Sequence, residues 1–168
     1  MKKATYAIFL AELFATFTAF AEVITETKFR EPFVLKLRIE GDKLHKQAFG
    51  KIPYVYKNNV FLFAGEKFGI NIEKSDKGKF KVTYAKNVKN ADIQFNFDQR
   101  QIVKTTWGMV LITKNNTKKT VKYKVLMTRP GLSGVYSTKS LPIKPGLANY
   151  EHWPHPILQL VVTEIRMH

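Results

Sequence analysis

The feature that most constrains this chain is a period of two. Phe33, Leu35, Leu37 and Ile39 alternate with Val34, Lys36 and Arg38, and Phe68, Ile70 and Ile72 alternate with Gly69, Asn71 and Glu73. Phe80, Val82 and Tyr84 repeat the pattern, as do Ile93, Phe95 and Phe97 between Gln94, Asn96 and Asp98. Residues two apart share one face of an extended strand, so each run predicts a strand with one buried face. Turn chemistry separates the runs: Gly41-Asp42, Ser75-Asp76-Lys77-Gly78, Asn87 to Ala91. Short strands at close spacing, with no long 3.6-residue period, predict an all-β chain.

The middle of the chain carries the strongest apolar signal. Met109 to Ile112 is an unbroken apolar run, while Val121-Lys122-Tyr123-Lys124-Val125 alternates apolar with basic. The first reads as a strand covered on both faces and the second as its neighbour with one wet face. Lys114 to Lys119 then reads as the turn of a hairpin within one sheet. Ile157 to Ile165 reads as another central strand. Lys43 to Ile52 reads as a connection with room for one helical turn, and Tyr54 to Phe63 as one bulged strand or two short ones. Val135 to Leu141 is an edge candidate, and residues 22–32 are an arm or a first edge. Four prolines between Pro142 and Pro156 exclude a central strand there. The predicted architecture is an antiparallel β-sandwich, immunoglobulin-like, of about seven to nine strands. A small β-barrel is the alternative.

Residues 1–21 are expected to lie outside that fold. Met1-Lys2-Lys3 is a basic head, Ala4 to Phe20 is apolar except for Glu12, and Ala19-Phe20-Ala21 ends the segment with small-x-small spacing. These are the parts of a helical secretory signal peptide cleaved after Ala21. A single domain over residues 22–168, periplasmic or secreted, follows as the expectation, with no transmembrane span after cleavage. The absence of cysteine excludes disulfides and thiolate metal sites.

Catalytic motifs are not evident. Gly131-Leu132-Ser133-Gly134 lacks the spacing of a nucleophile elbow, and Gly65-Glu66-Lys67-Phe68-Gly69 lacks that of a phosphate loop. Glu151, His152 and His155 are the residue types that bind zinc or copper. Pro154 argues against the helix that would make those histidines converge, so the segment reads as a stiff loop with Trp153 plugging one end of the sandwich. Asn115-Asn116-Thr117 matches a glycosylation sequon and equally a turn. The expectation is a chain without enzymatic activity or cofactor.

Charge is the main functional signal: 28 Lys and Arg against 13 Asp and Glu give a net +15. Lys114, Lys118, Lys119, Lys122 and Lys124, with Lys79 and Lys81, form the expected basic surface. Such a field attracts anionic partners, although lysines on strands also keep edges from aggregating. The partner expected is an anionic envelope component or another exported protein. Nucleic acid is disfavoured for an exported chain. An assembly or secretion accessory offering a sheet edge to a client strand is the alternative, and a metal-dependent hydrolase using residues 151–155 is a lesser one.

Overall fold

A computed structural model describes residues 27–41, 43–74, 80–103 and 106–168. The expected signal peptide, residues 22–26, the turn at 75–78 and Lys79 lie outside the described residues. Among those described, no helix is long and apolar enough to cross a membrane.

The alternating runs are strands. In chain order they are β1 (Phe33–Glu40), β2 (Lys43–Phe49), β3 (Val55–Tyr56), β4 (Asn59–Leu62), β5 (Glu66–Lys74), β6 (Phe80–Ala85), β7 (Ile93–Val103), β8 (Thr106–Asn115), β9 (Val121–Thr128), β10 (Tyr136–Lys139), β11 (Ala148–Trp153) and β12 (Gln159–Met167). Two antiparallel five-stranded sheets stack, in the orders β10-β9-β12-β4-β3 and β11-β8-β7-β5-β6, and β1 and β2 form a separate hairpin. The fold is therefore an all-β sandwich. Leu62, Phe63, Ile70, Phe95, Phe97, Leu111, Val125 and Leu160 fill it, each such burial contributing about 1.5–3 kcal/mol.

Among the described residues there are twelve strands rather than the expected seven to nine. Lys43 to Phe49 is a strand and not a connection, because it pairs residue for residue with β1. Tyr54 to Phe63 divides into two short strands at Lys57-Asn58, whose positive φ values of 48° and 61° make the two-residue reversal that hairpins favour. Residues 148–153 form a strand among the prolines, at the edge of its sheet, where the missing N–H groups of flanking prolines cost nothing.

The expected central hairpin is not one. β8 lies between β7 and β11 in one sheet, while β9 lies between β10 and β12 in the other. The two strands face each other across the core, where the Tyr123 hydroxyl of β9 accepts from Thr113 Oγ1 of β8 at 2.9 Å. Alternation along each strand reports which side chains are buried, and says nothing about whether the next strand continues the sheet or crosses to the opposite one.

The β1–β2 hairpin closes one end of the sandwich. Leu35 and Leu37 are buried, and Phe33 and Phe49 pack on Phe63 with ring centroids 5.0 and 4.9 Å away. Gln99 fastens the hairpin by accepting from Arg38 N and donating to Arg38 O, both at 2.8 Å.

Arg30 joins the amino-terminal segment to both sheets. Its guanidinium pairs with Glu66 through Nε and, at 2.7 Å, through Nη2. It also donates to Pro53 O at 2.8 Å and Phe61 O at 2.6 Å, with Cζ 3.8 Å from the centre of the Tyr54 ring. Glu66 Oε2 accepts in turn from Phe63 N at 2.9 Å. Breaking such a buried pair leaves a desolvated charge. Arg30→Met should lower stability by about 3–5 kcal/mol in urea unfolding, and Arg30→Met with Glu66→Met should recover much of the loss.

A second constraint sits at Gly69. The chain between β6 and β7, including a single 3₁₀ turn at Val88–Asn90, crosses the outer face of β5, and a Cβ at Gly69 would lie 2.2 Å from Ala91 Cβ. Asp92 Oδ2 ties this crossing to β5 by accepting from Ile72 N at 2.7 Å. Gly69→Ala should cost about 1–3 kcal/mol by overpacking, and the pair Gly69→Ala with Ala91→Gly should restore most of it in the same unfolding assay.

Candidate functional site

Asn115, the last residue of β8, builds the end of the sandwich opposite the β1–β2 hairpin. It is fully buried. Its Nδ2 donates to Lys119 O at 2.8 Å and Ile143 O at 2.9 Å, and its Oδ1 accepts from Thr117 N and Thr117 Oγ1. The amide is thus occupied on both sides, which folds residues 116–120 into a tight corner between the sheets and leaves no position for a glycan on the sequon. Asn116 extends the junction, donating through N to Asp92 O and through Nδ2 to Ala91 O, both at 2.8 Å. Gly146 N donates to Asn115 O at 2.8 Å, and Thr120 and His168 exchange backbone hydrogen bonds.

Three connections therefore meet at this end: 86–92, 116–120 and 140–147. They carry Lys86, Lys89, Lys118, Lys119 and Lys144, all exposed, and Asp92 is the one carboxylate in their sequences. Asp92 is itself engaged by the Ile72 N–H. Lys114 stands beside the corner at the end of β8. Side chains separated by as many as 58 positions in sequence thus share one pole of strongly positive field, with Lys86 at one extreme and Lys144 at the other.

The sequence-predicted lysines divide among neighbouring surfaces. Lys118 and Lys119 lie on the pole itself. Lys122 and Lys124 point outward from β9, where Lys124 stands opposite Lys139 of β10 and Lys122 opposite Arg166 of β12. Glu164 partly offsets this row. It sits at a register shift in β12 with φ of 49°, and accepts from Lys124 Nζ at 2.7 Å and Arg166 Nη2 at 3.2 Å. The Lys124 hydrogen bond holds the Glu164 carboxyl below its usual range. Lys81 is exposed on β6, an edge strand on the flank away from β9, and Lys79 lies outside the described residues. Sequence spacing on its own could not find Arg166 or Lys144, because only the register of β12 and the Ile143–Val121 bridge bring them near β9.

The candidate metal ligands do not converge. Glu151 and His152 are adjacent on a strand and project to opposite faces: Glu151 is half-buried and His152 exposed. His155 lies in the following loop, its ring pushed below the ordinary histidine value by burial and by the Arg129 charge. No group of three His, Asp or Glu side chains able to hold a metal occurs among the described residues. Ser133 sits in an exposed loop between Gly131 and Gly134, both with positive φ, which is a turn and not an elbow.

Glu151 instead belongs to an inward polar cluster. Its Oε1 accepts from Tyr123 OH at 2.9 Å, from Asn149 Nδ2 at 3.0 Å and from Ser140 Oγ. This cluster links the β10 and β11 flanks of the two sheets. Burial, and then the neighbouring Glu151 charge, raise the Tyr123 phenol far above its ordinary value of 10.0. The phenol is therefore neutral in the folded chain at a pH where an exposed tyrosine ionises, so its contribution to stability is intact below about pH 10 and falls as pH rises beyond it. In ultraviolet titration Tyr123 should ionise above the ordinary tyrosine range. Tyr123→Phe should remove this component of alkaline destabilisation.

No family model, curated protein or solved structure matches the chain.

Proposed function

We propose that this chain is an exported, non-catalytic module, immunoglobulin-like in plan, that docks on an acidic component of the cell envelope through its lysine-rich pole. One observation carries the reading: five exposed lysines from three connections meet around Asn115 and Asn116, with a single, already engaged carboxylate among them. A solvated anti-aggregation surface needs lysines along strand edges, whereas these stand on connections at one end, where they guard no edge. A broad cluster of lysines suits a repeating anion better than one small ligand, since ammonium groups act as point charges and lack the planar fork of arginine. Export rests on the basic head, apolar middle and Ala19-Phe20-Ala21 ending of residues 1–21. The immunoglobulin-like plan is supported by antiparallel sheets whose connections β4–β5, β8–β9, β10–β11 and β11–β12 pass from one sheet to the other.

Binding to a soluble polyuronate should weaken steeply between roughly 50 and 500 mM salt, as counterions screen the pole. Lys118→Glu with Lys119→Glu and Lys144→Glu should reduce affinity at least about tenfold at low salt. Lys36→Glu with Lys43→Glu and Lys46→Glu changes the net charge equally on the opposite hairpin and should have a much smaller effect. Equal losses from the two triple variants would reduce the attraction to net charge and refute the pole.

A further inference from the structure

The four edges of this sandwich are not equally protected. β3 is two residues long. The edge of β6 is capped by Asn58, whose Nδ2 donates to Phe80 O and whose Oδ1 accepts from Val82 N, both at 2.9 Å. β10 has four residues and ends in Lys139. β11 has six, in unbroken register with β8, and pairs with β8 alone among the described residues. It contains no proline, no bulge and no side chain turned back over its outer backbone. An edge of that length is ordinarily blunted, because its unpaired N–H and C=O groups invite another strand.

Which groups face outward follows from the register. Asn115 N donates to Leu147 O, which places the Asn115–Leu147 pair among the hydrogen-bonded ones. Such pairs alternate along an antiparallel ladder. Asn149, Glu151 and Trp153 therefore spend their backbone groups on β8, and Ala148, Tyr150 and His152 turn theirs to the open side. Exposed apolar side chains frame the same edge: Tyr150 is 70% exposed, Leu141 73% and Leu147 55%. The rows behind it are Ala148–Lys114–Gln94, Tyr150–Ile112–Asn96 and His152–Val110–Asp98.

We propose that β11 is a strand-addition site that takes an extended segment of another protein carrying an apolar and an acidic residue two positions apart, on one face of the added strand. Main-chain hydrogen bonds from Ala148, Tyr150 and His152 supply the pairing. An apolar residue then continues the Tyr150–Ile112 row. An acidic residue beside Ala148 extends the row of Lys114, with Lys144 close by in the preceding connection. A second copy of this chain is opposed by charge, since each copy brings a net +15 to the contact. The site shares Lys144 with the lysine-rich pole but is held by main-chain pairing that the pole does not use, so loss of polyuronate binding leaves protection of the β11 amides in place.

The test uses the full chain with a ten-residue peptide that carries Val and Glu in turn at every second position, with Thr between them. The probe should slow amide exchange at Ala148, Tyr150 and His152 by about tenfold or more at saturation. The same peptide N-methylated at alternate residues, which keeps its charge and loses its pairing edge, should give no such protection. The unmethylated peptide with Lys in place of each Glu should protect weakly. Tyr150→Ala should weaken binding while retaining the pattern of protected amides. The proposal is overturned if those three amides are not slowed, or if the N-methylated peptide protects equally. It is also overturned if raising the concentration of the chain alone protects them as well as the peptide does, which makes a second copy the occupant.

Discussion

The fold depends most on one buried cation. Arg30 is nearly inaccessible, and its guanidinium meets the Glu66 carboxylate, two main-chain carbonyls and the face of Tyr54. The contacts come from three parts of the chain, the approach to β3, the end of β4 and the start of β5, and join them to the amino-terminal segment that carries the arginine. A guanidinium can serve all of them because its donors are rigid, coplanar and numerous, and a lysine ammonium could not replace it. The pair also anchors the crossing from one sheet to the other, since Glu66 accepts from Phe63 N at the bend. Phe63 in turn receives the two rings that hold the β1–β2 hairpin in place. The closed end of the sandwich is thus organised around a charge withdrawn from water and fully paired.

The opposite end is organised by amides. Asn115 and Asn116 bind carbonyls from three connections and carry no charge themselves. Neutral donors suit this place, since a buried cation here would repel the lysines around it. The two ends thus differ in their interiors: a buried, paired cation at one, and neutral amides ringed by exposed lysines at the other. Between the ends the flanks differ too. On the β3–β6 flank Asn58 seals the edge, while on the β10–β11 flank the polar cluster around Glu151 ties the sheets from inside and leaves the outer backbone of β11 uncovered.

Much of the fold was legible in the residues, for a clear reason. Burial in a sandwich follows the pleat, so Phe68, Ile70, Phe95 and Phe97 announce both their strands and their inward face. Connectivity was not legible. A polar stretch such as Lys114 to Lys119 can close a hairpin or turn a corner between sheets, and the choice is made by Asn115, which reads in sequence as a turn former. β2 was missed because its alternation mixes Leu44, Lys46 and Ala48 on an exposed outer face with His45 and Gln47, leaving no apolar stripe to see. Arg30 could not be singled out either, since its partner lies 36 residues away. The placing of the lysines was not legible: Lys118 and Lys119 were expected on a hairpin turn and lie on a corner between the sheets, while Lys144 and Arg166 come near β9 through register alone.

The central claim about this molecule is that its positive charge acts from one end. Amide chemical shifts of the full chain during titration with a soluble polyuronate test it most directly. The account predicts the largest changes at residues 86–92, 114–122 and 143–147, with little change over 33–49. Changes spread evenly over the surface, or centred on the β1–β2 hairpin, would contradict it.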